Sequence, residues 1–180
     1  MKRILVVVAD HKDELIVAFK TIASYKKNGW EVEIIHTGPV ANKTPGDIED
    51  VLYKKMLETI PDIVITFDTT GMDNDPDHIR VCFATTFAFQ KYAKWIENLL
   101  HDMEPAQQAF PKLYYACIPQ SVMKYQIAKK EKLALSFEKP LRGTEDKKIT
   151  TVIDGEYFIF RMHGIIEVFM GKNDHVADRL

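Results

Sequence analysis

Carboxylates and imidazoles crowd two short stretches of this chain. One is Asp10-His11-Lys12-Asp13-Glu14; the other runs Thr66-Phe67-Asp68-Thr69-Thr70-Gly71-Met72-Asp73-Asn74-Asp75-Pro76-Asp77-His78. Acids beside a histidine can hold a divalent cation or move protons for a substrate. They can also do nothing more than cap a turn, because carboxylates offset the orphan N–H groups at the start of a helix. Each stretch follows an apolar run, Ile4-Leu5-Val6-Val7-Val8-Ala9 and Asp62-Ile63-Val64-Ile65-Thr66, that reads as a buried strand. Two such strand ends, neighbours in one parallel sheet, would converge on a single cleft.

The elements that must position these residues alternate between strand and helix patterns, which predicts an α/β architecture with a mostly parallel sheet. Strands are expected at 3–9, 31–36, 62–67 and 112–118. Helices are expected at 12–27, ended by Asn28-Gly29, at 47–60, and from Asp77 to about Asp102. The stretch from Gly38 to Gly46, with two prolines, reads as a loop. Beyond Pro119 the pattern weakens. Residues 129–148 read as a Lys- and Glu-rich surface loop and 149–154 as a short extended segment. Phe158, Arg161, Met162, Ile165, Ile166 and Phe169 fit one helical stripe, stopped by Gly171, whose expected role is core packing.

At 180 residues the chain is expected to form one domain over 1–180. A net charge of −2 gives no global attraction to nucleic acid or to an anionic membrane, so neither is an expected partner. The N-terminal apolar run is too short to span a bilayer and has no cleavage-site pattern, so the expected location is cytoplasmic. Cys82 and Cys117 lack metal-ligand spacing and read as reduced, buried thiols. His36, His101, His163 and His175 read as solvated or hydrogen-bonded histidines, and Lys124, Lys129, Lys130 and Lys132 as a solvated face. A homo-oligomer is left open.

The second acidic stretch resembles the T-F-D-P-x-G…H-P-D-H segment of the PIG-L/LmbE family of metal-dependent sugar de-N-acetylases. The first resembles that family's opening A-H-P-D-D-E. Thr21-Ile22-Ala23, Thr37-Gly38, Lys112-Leu113-Tyr114-Tyr115 and Pro119 extend the likeness over most of the chain. The resemblance implies an LmbE-like fold, a Rossmann-like three-layer sandwich with its site at the carboxyl ends of the first and third strands. It also implies an activity: metal-dependent removal of an N-acetyl group from an amino sugar, with zinc or another divalent metal as cofactor and an N-acetylated sugar or related ligand as partner.

Residue by residue, the family's metal positions fall on Asp10, Asp13 and His78. Its proline falls on His11, its catalytic Asp on Lys12, and the first His of H-P-D-H on Asp75. Two carboxylates and one imidazole suit zinc, manganese or iron. An ammonium at Lys12 cannot accept a proton unless its pKa falls by several units. Two alternatives follow. In one, Asp75 stands in as acid or base. In the other, Lys12 sits among Asp10, Asp13 and Asp75 as an internal ion cluster, in a metal-free pseudoenzyme that binds a sugar, a nucleotide-like ligand or a protein. A one-residue bulge in the first strand would instead make His11 and Glu14 ligands and Asp13 the base. The family's C-terminal H-x-[ST]-Q falls on Val168 to Gly171 without its polar residues. A helix and strand that usually follow the second strand are missing, and with them an Arg-x-x-Glu used near the substrate.

Overall fold

The computed structural model describes residues 1–128, 143–152, 158–162 and 166–170. The chain divides into two compact units, Met1–Ala116 and Cys117–Leu180.

The first unit is built on a parallel sheet of four strands: β1 (Arg3–Val8), β2 (Glu31–His36), β3 (Ile63–Phe67) and β4 (Lys112–Ala116), in the order β2-β1-β3-β4. β1 is central, and Ile4 to Val8 are at most 1 % exposed. A continuous β-branched run suits that place, because a strand covered on both faces has no solvent side on which to alternate. β1 and β2 pair residue for residue from Arg3–Glu31 to Val8–His36, so no bulge shifts the register before Asp10. The alternative that made His11 and Glu14 metal ligands falls with it. β2 stands at the end of the sheet. The chain leaves β1 towards β2 and later returns past it to β3, so the order reverses between β1 and β3. That reversal opens a crevice at the carboxyl ends of these two strands.

Where one helix over 12–27 is expected, there are two: α1 (Asp13–Val17) and α2 (Phe19–Lys27). The break falls at Ala18, whose φ and ψ are −150° and 13°. Val17 and Ala18 are both buried. The break frees the first turn, with Asp13 and Glu14, to lie along the strand ends.

α3 (Asp47–Thr59) and α4 (Pro76–Leu100) pack against each other, with Leu52 and Met56 of α3 and Val81, Ala84 and Ala88 of α4 in the core. One carboxylate ties the start of both helices. Glu49 accepts the Gly46 N–H at 2.8 Å and receives both guanidinium nitrogens of Arg80 at 2.6 and 3.0 Å. The Arg80 hydrogen bond holds the Glu49 carboxyl below its ordinary range. Cys82 on α4 is buried, and burial pushes its thiol up to about 11; Cys117 is only partly buried, so the expectation of two buried thiols holds for Cys82 alone. No helix among the described residues is long and apolar enough to cross a membrane.

The second unit contains α5 (Gln120–Ala128), a helix with no counterpart in the sequence reading, and a short turn of 3-10 helix at Asp146–Lys148. β5 (Phe158–Met162) pairs antiparallel with β6 (Ile166–Met170). This overturns the helical stripe expected from Phe158 to Phe169. Short apolar runs satisfy either period, and the aromatic and β-branched residues here favour strands. Val168 therefore lies on a strand, not on a C-terminal helix. Of the loop expected at 129–148, residues 129–142 lie outside the described residues, as do Lys129, Lys130, Lys132, His163, His175 and the rest of the chain after Met170.

Two substitutions test this framework. Leu52→Ala is expected to cost about 2–5 kcal/mol in urea unfolding, since Leu52 is 1 % exposed. Arg80→Met leaves Glu49 charged without its partner and should cost about 3 kcal/mol. Because the Glu49 pKa is depressed in the fold, its contribution is complete above the ordinary value of 4.5 and disappears as the pH falls through the lower folded value. The Arg80→Met penalty should therefore shrink in acid; a penalty constant from pH 7 to 3 would refute the assignment.

Candidate functional site

The crevice between β1 and β3 is lined by the two stretches singled out in the sequence. After β3 the chain turns through residues 68–75, and the turn is organised by its own acids. Asp68 Oδ1 accepts from Thr70 N–H at 2.9 Å, Thr70 Oγ1 at 2.7 Å and Met72 N–H at 3.0 Å. Gly71, Met72 and Asn74 all have φ near +65°, so three of four consecutive residues are left-handed. A turn this tight delivers Asp75 as the N-cap of α4, where it accepts the Asp77 N–H at 2.7 Å, with Pro76 at the first helical position. Asp77, two residues further on, does not cap the helix. Its Oδ1 accepts the N–H groups of Val40 and Ala41, each at 2.5 Å, and so fastens the loop after β2 to the start of α4.

His78 is the centre of the arrangement. Its ring stacks on Phe67, with centroids 4.2 Å apart and planes 10° from parallel. Nδ1 lies 2.9 Å from Asp73 Oδ1 and 3.2 Å from the Gly71 carbonyl; Nε2 lies 3.4 Å from Asp13 Oδ2. Burial draws the imidazole towards its neutral form. The two carboxylates outweigh that and push its pKa up to about 10. Gly71 permits this packing, because a Cβ there would stand 2.8 Å from His78 Cβ.

Asp13 is 6 % exposed, and its Oδ2 also accepts the Asp10 N–H at 2.6 Å. Asp10 is exposed, with Oδ1 turned to the N–H of His11 at 2.6 Å. Lys12 is exposed at the start of α1 and forms no ion pair among the described residues. The internal cluster of Lys12 with Asp10, Asp13 and Asp75 is therefore not formed. A lysine on a solvated turn keeps its hydration, and the buried positive charge is the imidazolium of His78 instead.

A second carboxylate–imidazole pair sits one strand away. Glu14 Oε2 is 2.9 Å from His36 Nε2, and the His11 ring lies over His36 with centroids 3.8 Å apart. In sequence His36 stands alone; only its place at the end of a strand beside β1 signalled that it could reach the first acidic stretch.

The metal positions implied by the resemblance come together in part. Two atoms bound to one tetrahedral zinc at about 2.1 Å each stand about 3.4 Å apart, the spacing of His78 Nε2 and Asp13 Oδ2. Asp73 behind Nδ1 supplies the carboxylate that commonly orients a ligating histidine. Asp10 does not complete the set, and among the described residues no group of three His, Cys, Asp or Glu is placed to hold a metal ion. Two donors fit a cation; the trio does not.

No protein-family model matches the chain, and no curated protein sequence does. Among solved structures it is similar to the crystal structure of GalB, the 4-carboxy-2-hydroxymuconate hydratase from Pseudomonas putida KT2440, at 15% identity and a TM-score of 0.43. The match covers 50% of this chain and 56% of that one, so the chain spans little more than half the length of that hydratase.

The raised pKa of His78 has a defined sign. Its pairing stabilises the fold fully below the ordinary value of 6.5, and that contribution is lost as the pH rises towards about 10. Between those limits the melting temperature should fall more steeply for the wild type than for His78→Gln; parallel curves would mean that the ring is not charged. Gly71→Ala is expected to cost about 1–3 kcal/mol, because it combines a left-handed φ with a clash, and to shift the His78 ring resonances. Unchanged stability and unchanged resonances would contradict the close approach.

Proposed function

We propose that this is a divergent PIG-L/LmbE-like protein whose strand-end cleft binds an N-acetylated amino sugar or a related amide and hydrolyses it. The observation that carries the reading is the 3.4 Å pairing of His78 Nε2 with Asp13 Oδ2, backed by Asp73 on Nδ1. Zinc or another divalent metal held by those two atoms would take the place of the Nε2 proton of His78, and would supply polarisation of the amide carbonyl and a more acidic water. The protein's own groups do the rest. Asp73 fixes the ring so that Nε2 faces Asp13, and Phe67 packs its plane. Asp75 spends one oxygen on the Asp77 N–H; its other oxygen has no partner among the described residues and can take a proton from water or return one to the leaving amine. Lys12, exposed and without an ion pair among the described residues, can donate to an oxygen of the ligand.

A second reading keeps the ligand and drops the reaction: a pseudoenzyme that binds a sugar, a nucleotide-like ligand or a protein partner in the same cleft. It is favoured by Lys12 standing where the resemblance has a catalytic Asp, and by the Asp10 carboxylate turned to its own backbone.

Metal content separates the two. After purification without a His-tag and dialysis against zinc, manganese and iron in turn, the hydrolase reading expects about one metal per chain by mass spectrometry. That metal should be lost in His78→Ala, and amine should be released from N-acetyl sugars. Lys12→Asp should then raise turnover by about tenfold or more, by restoring a carboxylate where a general base acts. Protein that retains no metal and releases no amine, yet binds an N-acetyl sugar, would decide for the second reading.

A further inference from the structure

Asp13 and Glu14 are consecutive on the first turn of α1, and each engages a histidine from a different strand end. Asp13 meets His78, whose ring lies on Phe67 at the end of β3. Glu14 meets His36 at the end of β2. Val8 is in register with His36, and Val6 with Ile65, so continuing that register by two residues sets Val8 level with Phe67. Residues in register on neighbouring parallel strands face the same side of the sheet. His36 and Phe67 thus flank Val8 on one face, two strand spacings or about 10 Å apart.

The state of the His36 ring follows from its partner. An ionised carboxylate only accepts hydrogen bonds, so Nε2 carries the hydrogen shared with Glu14, and in the neutral ring Nδ1 is an acceptor. That nitrogen has no hydrogen-bond partner among the described residues. The His36 side chain is 23 % exposed, so a ligand can reach it, and Glu14 together with the His11 ring holds it in one orientation. A fixed imidazole with a vacant acceptor suits a donor on a ligand, and a sugar offers hydroxyls.

We infer that His36, oriented by Glu14, contacts the ligand and forms a second polar pole of the strand-end cleft, accepting a hydrogen bond from a hydroxyl group of a sugar-sized occupant that reaches from His78 to His36. This rests on the reading of the cleft as a sugar site. Glu14 is a positioning residue in it, acting only through His36.

The test is a histidine side-chain 1H–15N spectrum of the full chain, titrated with N-acetylglucosamine, with resonances assigned from His36→Gln and His78→Gln. Both His36 and His78 should shift saturably. His36→Gln should weaken binding about tenfold or more, the scale of one lost hydrogen bond to a buried or charge-oriented group. Glu14→Gln should weaken it less and change the His36 nitrogen shifts to those of mixed tautomers, a signature that a purely structural Glu14 would not give. Shifts at His78 alone, or wild-type affinity in a folded His36→Gln, overturn this inference and leave the sugar site standing. No shift at either histidine and no binding overturn both.

Discussion

A positive charge beneath the surface has to be surrounded before it is tolerated, and His78 is surrounded from three sides. Desolvation alone would leave the ring neutral. Asp13 and Asp73 reverse that, and in doing so they connect the turn after β1, the turn after β3 and the first turn of α4. Breaking any one of these contacts would leave a buried carboxylate or imidazolium uncompensated, which costs more than the pair returns when intact. The geometry of the crevice follows from that requirement. α1 separates from α2 at Ala18, and its first turn brings Asp13 over β1. The turn after β3 accepts three left-handed residues so that the Asp73 carboxylate can reach Nδ1.

That turn carries the conformational cost of the site. Left-handed Met72 and Asn74 are disfavoured relative to extended or helical backbone, and such residues persist where neighbouring contacts over-determine them. Here the neighbours are identifiable: Asp68 gathers Thr70 and Met72, the Gly71 carbonyl sits 3.2 Å from His78 Nδ1, and Asp75 closes the turn onto α4. Few of the acids in this stretch are idle. Asp68 and Asp75 shape backbone, Asp73 holds a charge, and Asp77 fastens the loop after β2. The crowding of carboxylates that drew attention in the sequence is mostly the construction of one turn.

The two carboxylate–imidazole pairs differ in a way that bears on chemistry. His78 is enclosed, doubly bonded and charged; His36 shares one nitrogen with Glu14 and stays within reach of solvent. Lys12, immediately before Asp13 and Glu14 in sequence, joins neither. Its exposure leaves the core untouched, since a solvated ammonium imposes nothing on its neighbours.

The sequence by itself determined the parallel sheet, the placement of its strands to within two residues, and the two strand ends that carry clustered acids. Those features are local: a β-branched run is legible as a buried strand, and a strand end followed by Asp, His and Pro as the start of a helix. Only the tertiary structure decided which acid meets which base. Asp13 with His78 and Glu14 with His36 join residues 65 and 22 positions apart. The choice depends on strand order, register and the break at Ala18, none of which a linear pattern encodes. The segment from Phe158 to Met170 shows the same limit in reverse. Its residues satisfy both a helical stripe and paired strands, and pairing between β5 and β6 settles the matter, because cross-strand backbone partners outweigh local periodicity.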